Sequence, residues 1–116
     1  MKETYSGSCH CGGVRFLAKL DLKDCIVCDC SICTMKGAIM VRIPAADFEM
    51  LTSPDQLSEY RFNRKIARHF FCKTCGIFPF HRPRTRPELW GVNVRCLEDI
   101  KIDALDPERV HGSKLD

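Results

Sequence analysis

The sequence holds no apolar stretch near the ~18 residues that a membrane-spanning helix needs, so no membrane partner is expected. Its opening run, Met1-Lys2-Glu3-Thr4-Tyr5-Ser6-Gly7-Ser8, lacks the apolar core of a secretory signal, and a cytoplasmic chain is expected. Repeats, low-complexity tracts and linker-like stretches are missing as well, which argues for one domain over residues 1–116. Charge of one sign is also scarce: 18 Lys and Arg stand against 15 Asp and Glu, a formal +3. A nucleic-acid footprint needs a clear basic excess, so that partner is not expected from charge.

Cysteine, by contrast, is abundant, with 9 in 116 residues. Seven of them fall into three clusters: Cys9-His10-Cys11, Cys28-Asp29-Cys30-Ser31-Ile32-Cys33 and Cys72-Lys73-Thr74-Cys75. Within each cluster the thiols are close enough to share a metal and too close for an easy disulfide. The odd count and the absence of an export signal also favour metal in a reducing compartment. Zn²⁺ is the expected ion, two per chain. Four sulfurs close a tetrahedral site, whereas three leave one position open, the usual difference between structural and catalytic zinc. Seven thiolates and two such ions would bring the formal charge close to zero.

The clusters divide by local geometry. Cys72-Lys73-Thr74-Cys75-Gly76 reads as a zinc-knuckle turn, and Cys9 and Cys11, followed by Gly12-Gly13, supply a matching pair. Joining them closes a loop of about 60 residues, where a cross-link removes much unfolded-state entropy. Cys28, Cys30 and Cys33 remain as a local trio. On an extended segment Cys28 and Cys30 share a face, and a turn at Ser31-Ile32 returns Cys33 to them. Cys25 has C-x-x-C spacing to Cys28 and is the candidate fourth ligand, although on a strand it faces the other side. Cys96 reads as a buried thiol. His10, His69, His81 and His111 are alternative ligands, each better read as an ordinary histidine, with His81 placed to line a pocket.

Short Gly/Pro-punctuated β-like runs dominate: Val14–Ala18, Cys25–Cys28, Ala38–Ile43, Leu57–Phe62, Ala67–Phe71, Ile77–Phe80 and Leu89–Val94. They argue for a mainly β, mostly antiparallel fold. Helix is expected only as single turns, near Ser31 to Lys36 and near Cys96 to Ile100. Pro79 points to an edge strand or bulge. The polar tail from Asp106 to Asp116 is expected to be loosely held.

Gly7-Ser8-Cys9-His10-Cys11-Gly12-Gly13-Val14-Arg15-Phe16, the trio with Gly37-Ala38, and Phe71-Cys72-Lys73-Thr74-Cys75-Gly76-Ile77 together resemble the glutathione-dependent formaldehyde-activating enzyme family. Phe80 to Arg84 and Val92 to Leu97 look like its short centromere-protein-V-like branch. Asp29 stands where that family's second cluster usually has histidine. The resemblance covers nearly the whole chain and implies a compact fold of coiled antiparallel sheets. It implies a structural zinc on Cys9, Cys11, Cys72 and Cys75, and a catalytic one on Cys28, Cys30 and Cys33. The implied activity is that of a carbon–sulfur lyase, S-(hydroxymethyl)glutathione synthase-like, acting on a small thiol such as glutathione and an aldehyde such as formaldehyde. Arg82, Arg84, Arg95 and Lys36 are candidates to meet a developing alkoxide or substrate carboxylates. The alternatives are a non-catalytic zinc module whose Arg82–Arg86 loop binds protein or nucleic acid, and a thiol-based redox or metal-buffering protein.

Overall fold

Alternation places the first sheet. Along Arg15–Leu20 the side chains of Phe16, Ala18 and Leu20 are buried while Arg15 and Lys19 face water, as expected of a strand with one wet face. The computed structural model describes residues 1–62 and 65–114. In chain order the elements are β1 (Glu3–Ser8), β2 (Arg15–Leu20), β3 (Ile26–Cys28), α1 (Ser31–Lys36), β4 (Met40–Pro44) and β5 (Phe48–Met50). There follow β6 (Leu57–Tyr60), β7 (Arg68–Cys72), β8 (Phe80–Arg82), β9 (Leu89–Asn93) and β10 (Glu108–Val110), with single 3-10 turns between.

β1, β2 and β5 form a small antiparallel sheet in that order. The other seven strands run β10-β3-β4-β9-β8-β7-β6, antiparallel except for β10 against β3. The fold is therefore mainly β, as the short punctuated runs suggest. No helix among the described residues is long and apolar enough to cross a membrane.

The sheets meet through their inward faces. Phe16, Ala18 and Leu20 join Val41, Ile43, Phe80 and Val92 in one core cluster. Aromatic contacts bind its centre: Phe16 lies edge-on to Phe80 at 5.4 Å, and Phe48 stacks on Trp90 at 4.3 Å. Gly7 stands opposite Phe16 in the β1–β2 register. A Cβ there would fall 2.3 Å from the Phe16 ring, which is wholly buried. Gly7→Ala is accordingly expected to lower unfolding free energy by roughly 1–3 kcal/mol through overpacking, read by chemical denaturation of the metal-loaded chain.

Several elements depart from the expectation. β1 escapes notice because it is polar and mostly exposed, and β5 because it has three residues. Pro79 lies just before β8, and β8 is an interior strand between β9 and β7, not an edge. Pro79 is tolerated there because its carbonyl accepts from the Asn93 N–H at 2.9 Å, and no N–H is demanded of it. The late single turn sits at Val94–Cys96, where the Asn93 side chain accepts from the Arg95 N–H at 3.1 Å. Among the described residues the tail carries regular pairing. β10 pairs with β3, and the Glu108 N–H donates to the Cys25 carbonyl at 3.0 Å. The last two positions of that tail lie outside the described residues.

Candidate metal centres and cavity

Two chain turns 61 residues apart bring four sulfurs together. Cys9 and Cys11 lie in the turn between β1 and β2, and Cys72 ends β7 with Cys75 in the turn beyond. Each turn needs a left-handed residue after its cysteines, and Gly12 (φ 81°) and Gly76 (φ 78°) supply it. Their N–H groups close the turns onto the carbonyls of Cys9 and Cys72, at 3.2 and 2.9 Å. The four Sγ atoms lie within 4.8 Å of one another, with Cys9–Cys11 and Cys11–Cys72 both at 3.6 Å. A tetrahedron of Zn–S bonds near 2.3 Å requires S···S of about 3.8 Å, so this set fits zinc.

Nearby amides point at three of these sulfurs. The N–H of Val14 points at Cys9 Sγ (3.2 Å) and that of Gly13 at Cys11 Sγ (3.4 Å). Cys72 Sγ accepts from the Thr74 N–H and the Gln56 side-chain amide, both at 3.4 Å. The Cys75 N–H, then Gln56, hold the Cys72 thiol down at about 5.

The second group is local. Cys28 ends β3, Cys30 precedes α1 as its N-cap, and Cys33 lies within the helix. These three Sγ atoms also lie within 4.8 Å of one another. No described His, Cys, Asp or Glu adds a fourth ligand atom. Cys25 is 1% exposed, packed in the core, and belongs to neither group. Cys96 donates to the Phe78 carbonyl at 3.5 Å, and burial pushes its thiol up to about 12. His10 is exposed and apart from both groups.

The C-terminal segment clasps the trio. The Asp29 N–H donates to the Val110 carbonyl at 3.1 Å, and the Asp29 carboxylate meets His111 Nδ1 at 2.9 Å and the Ser113 N–H at 3.1 Å. The His111 contact, then the Ser113 amide, hold the Asp29 carboxyl down at about 2. Gly112 backs directly onto Cys28: a Cβ there would lie 2.6 Å from its Sγ. Gly112→Ala is expected to weaken metal retention by the trio about tenfold while the four-sulfur group keeps its ion, measured by chelator competition.

Beside the trio opens a cavity of about 280 Å³. Ile26, Met40, Phe62 and Ile66 form apolar walls, and its charged lining is Arg42, Lys65 and Arg84, with no Asp or Glu among the described lining residues. His69 and His81 line it as well, their rings stacked 5.4 Å apart and 5° from parallel. Lys36 Nζ lies 3.1 Å from His69 Nδ1 and 3.3 Å from the centre of the Phe78 ring. Burial first, then neighbouring positive charge, pushes His69 down to about 4; burial, then His69 and Lys36, pushes His81 to about 3. Both rings are neutral at pH 7.

Of the basic residues singled out from the sequence, Arg84 lines the cavity and Lys36 lies behind it. Arg82 stacks on Trp90 at 3.6 Å and donates to the carbonyls of Pro87, Glu88 and Leu89, so it holds its own loop. Arg95 is exposed, outside the cavity. Sequence reasoning overlooks Arg42 and gives His69 no role at the site. Arg42 carried a signal, as the sole charge in the apolar run Ala38–Ile43.

A mainly β globule carrying a four-sulfur group and a three-sulfur group beside a cavity defines a class of cysteine-clustered proteins whose sulfurs could hold metal. The glutathione-dependent formaldehyde-activating enzyme family matches residues 4–111, and the chain belongs to that family. It is also similar to a Rhodobacter sphaeroides protein of known crystal structure. The two share 36% identity at a TM-score of 0.84, over 90% of this chain and 99% of that one.

Proposed function

We propose that this chain is a zinc-dependent, cytoplasmic enzyme that joins a small thiol such as glutathione to an aldehyde such as formaldehyde, and reverses that step as a carbon–sulfur lyase. One observation carries the reading: the four-sulfur group fills a tetrahedron by itself, whereas the trio has three sulfurs and an adjacent cavity. Cys9, Cys11, Cys72 and Cys75 would hold a structural ion, and Cys28, Cys30 and Cys33 the catalytic one. Cys28, Cys30 and Cys33 would hold zinc there, and the ion would supply a Lewis-acid position favouring the thiolate form of a small thiol near neutral pH.

The chain's own residues do the rest. The apolar walls keep water from competing with the thiol, and holding both reactants in one cavity supplies effective molarity. Arg42 and Lys65 in the lining favour a thiol that carries carboxylate groups. In the reaction the sulfur lone pair forms the S–C bond and the carbonyl π pair moves to oxygen. One proton, equal to that released by the thiol, completes the S-(hydroxyalkyl) product. No electrons change hands. The basic loop lends little to the alternative of a nucleic-acid module, since Arg82 is turned onto Trp90 and Arg86 pairs with Glu88 at 2.5 Å.

NMR exchange between formaldehyde and glutathione, with and without zinc-loaded protein, tests the reading. Acceleration over the uncatalysed exchange is expected. Its absence across several thiols and aldehydes would remove the proposal.

A further inference from the structure

Lys36 ends α1 three residues beyond Cys33, and its ammonium is spent on an imidazole and an aromatic face, His69 Nδ1 and the Phe78 ring. An ammonium has protons but no lone pair, so it donates and His69 Nδ1 accepts. Burial keeps the His69 ring neutral, and a neutral ring carries one proton. With Nδ1 taken as an acceptor, that proton sits on Nε2. His69 thus becomes a fixed donor at a residue that lines the cavity beside the trio.

His81 is stacked on His69 and packs that ring from one side. It is 6% exposed, and its Nδ1 is buried with no hydrogen-bond partner. A buried polar atom of this kind is costly to leave unpaired. The Gly91 backbone packs so tightly beneath the ring that a Cβ there would fall 2.3 Å from His81 Cε1, so the imidazole is held in place.

We propose that His69 is a catalytic residue that donates an Nε2–H hydrogen bond to the oxygen of the aldehyde, with Lys36 the positioning residue that fixes its tautomer. The inference rests on the thiol–aldehyde reading above. As the S–C bond forms and the π pair moves to oxygen, the Nε2–H bond meets the growing negative charge without the proton leaving nitrogen. Solvent delivers the one proton that makes the hydroxyl. The donor is absent from the ground-state thiol's interactions, so its removal acts on turnover more than on thiol binding.

Two measurements on zinc-loaded protein test this. In ¹⁵N-histidine-labelled protein without substrate, His69 is expected with Nε2 protonated and Nδ1 bare, and Lys36→Met is expected to shift the ring toward the other tautomer. Finding the proton on Nδ1 in the unmodified chain, or no change in Lys36→Met, overturns the role of Lys36. In thiol–aldehyde kinetics, His69→Phe keeps a ring but no donor, and kcat is expected to fall on the order of 100-fold with KM for the thiol nearly unchanged. His69→Gln, whose amide nitrogen comes near the place of Nε2, should restore part of that loss. Unchanged kcat in His69→Phe, or no recovery in His69→Gln, overturns the role of His69. If His69→Phe fails to fold or loses zinc, Lys36→Met carries the kinetic arm, and a kcat equal to the unmodified chain overturns the proposal. An inert unmodified protein removes the thiol–aldehyde reading itself, a result distinct from a wrong tautomer.

Discussion

Cys72→Ser is expected to leave the chain without a cooperative unfolding transition. Cys72 is fully buried at the end of β7, and its sulfur meets Cys11 across 61 residues of sequence. A structural zinc site contributes folding free energy on the order of 10 kcal/mol. That is comparable to the ~5–15 kcal/mol by which a whole domain is stable. Losing one thiolate of four also leaves the Val14, Gly13 and Thr74 amides around a site that no longer holds its ion. The readout is far-UV circular dichroism with thermal melting, alongside metal content. A sharp melt within a few degrees of the unmodified chain would show that the four-sulfur group does not hold the fold together.

Cys30→Ser should do the reverse. The trio spans six residues of sequence, so its metal closes no long loop and adds little of the loop-closure term. The core cluster of Phe16, Phe80 and Val92 does not include Cys28, Cys30 or Cys33. The variant is therefore expected to fold and melt within several degrees of the unmodified chain. It should retain about half of the metal and return thiol–aldehyde exchange to the uncatalysed background. The decisive comparison is between the two variants, and equal melts would mean that structural and catalytic duties are not divided this way.

Much of the architecture was legible because period-two alternation leaves its mark wherever one face is buried. β3, β6 and β9 fall inside runs readable from the residues alone, and β2, β4 and β7 overlap such runs but extend one or two residues past them. β1 was not, since five of its six side chains are at least partly exposed and the strand is defined by its pairing with β2. β10 is a three-residue polar strand whose reason to exist is an edge of β3 more than 75 residues earlier, and no local pattern encodes that.

The four-sulfur grouping was legible for a different reason: each of its two knuckles carries its own turn chemistry, with Gly12 and Gly76 immediately after the cysteines, and the trio was legible by its close spacing. The separation of Cys25 from the trio followed from strand geometry, and it is buried in the core as that geometry requires. The cavity was legible only in pieces. His81 drew attention by its place in an Arg/Pro-rich loop. His69, in a run of Phe70 and Phe71, looked like any sheet histidine, because nothing nearby in sequence announces Lys36 or the stacked ring of His81. Contacts spanning 33 residues belong to the assembled fold, and a single sequence does not display them.

The late arrival of β10 sets an order of events during synthesis. Cys28, Cys30 and Cys33 leave the ribosome early and are near neighbours in sequence, so they are able to seize an ion before most of the sheet exists. The clasp formed by Val110, His111, Gly112 and Ser113 reaches Asp29 only once the chain has grown by 82 residues beyond it. A chain cut ahead of Val110 would thus keep all four cysteines of the long-range group but lose the clasp beside the trio.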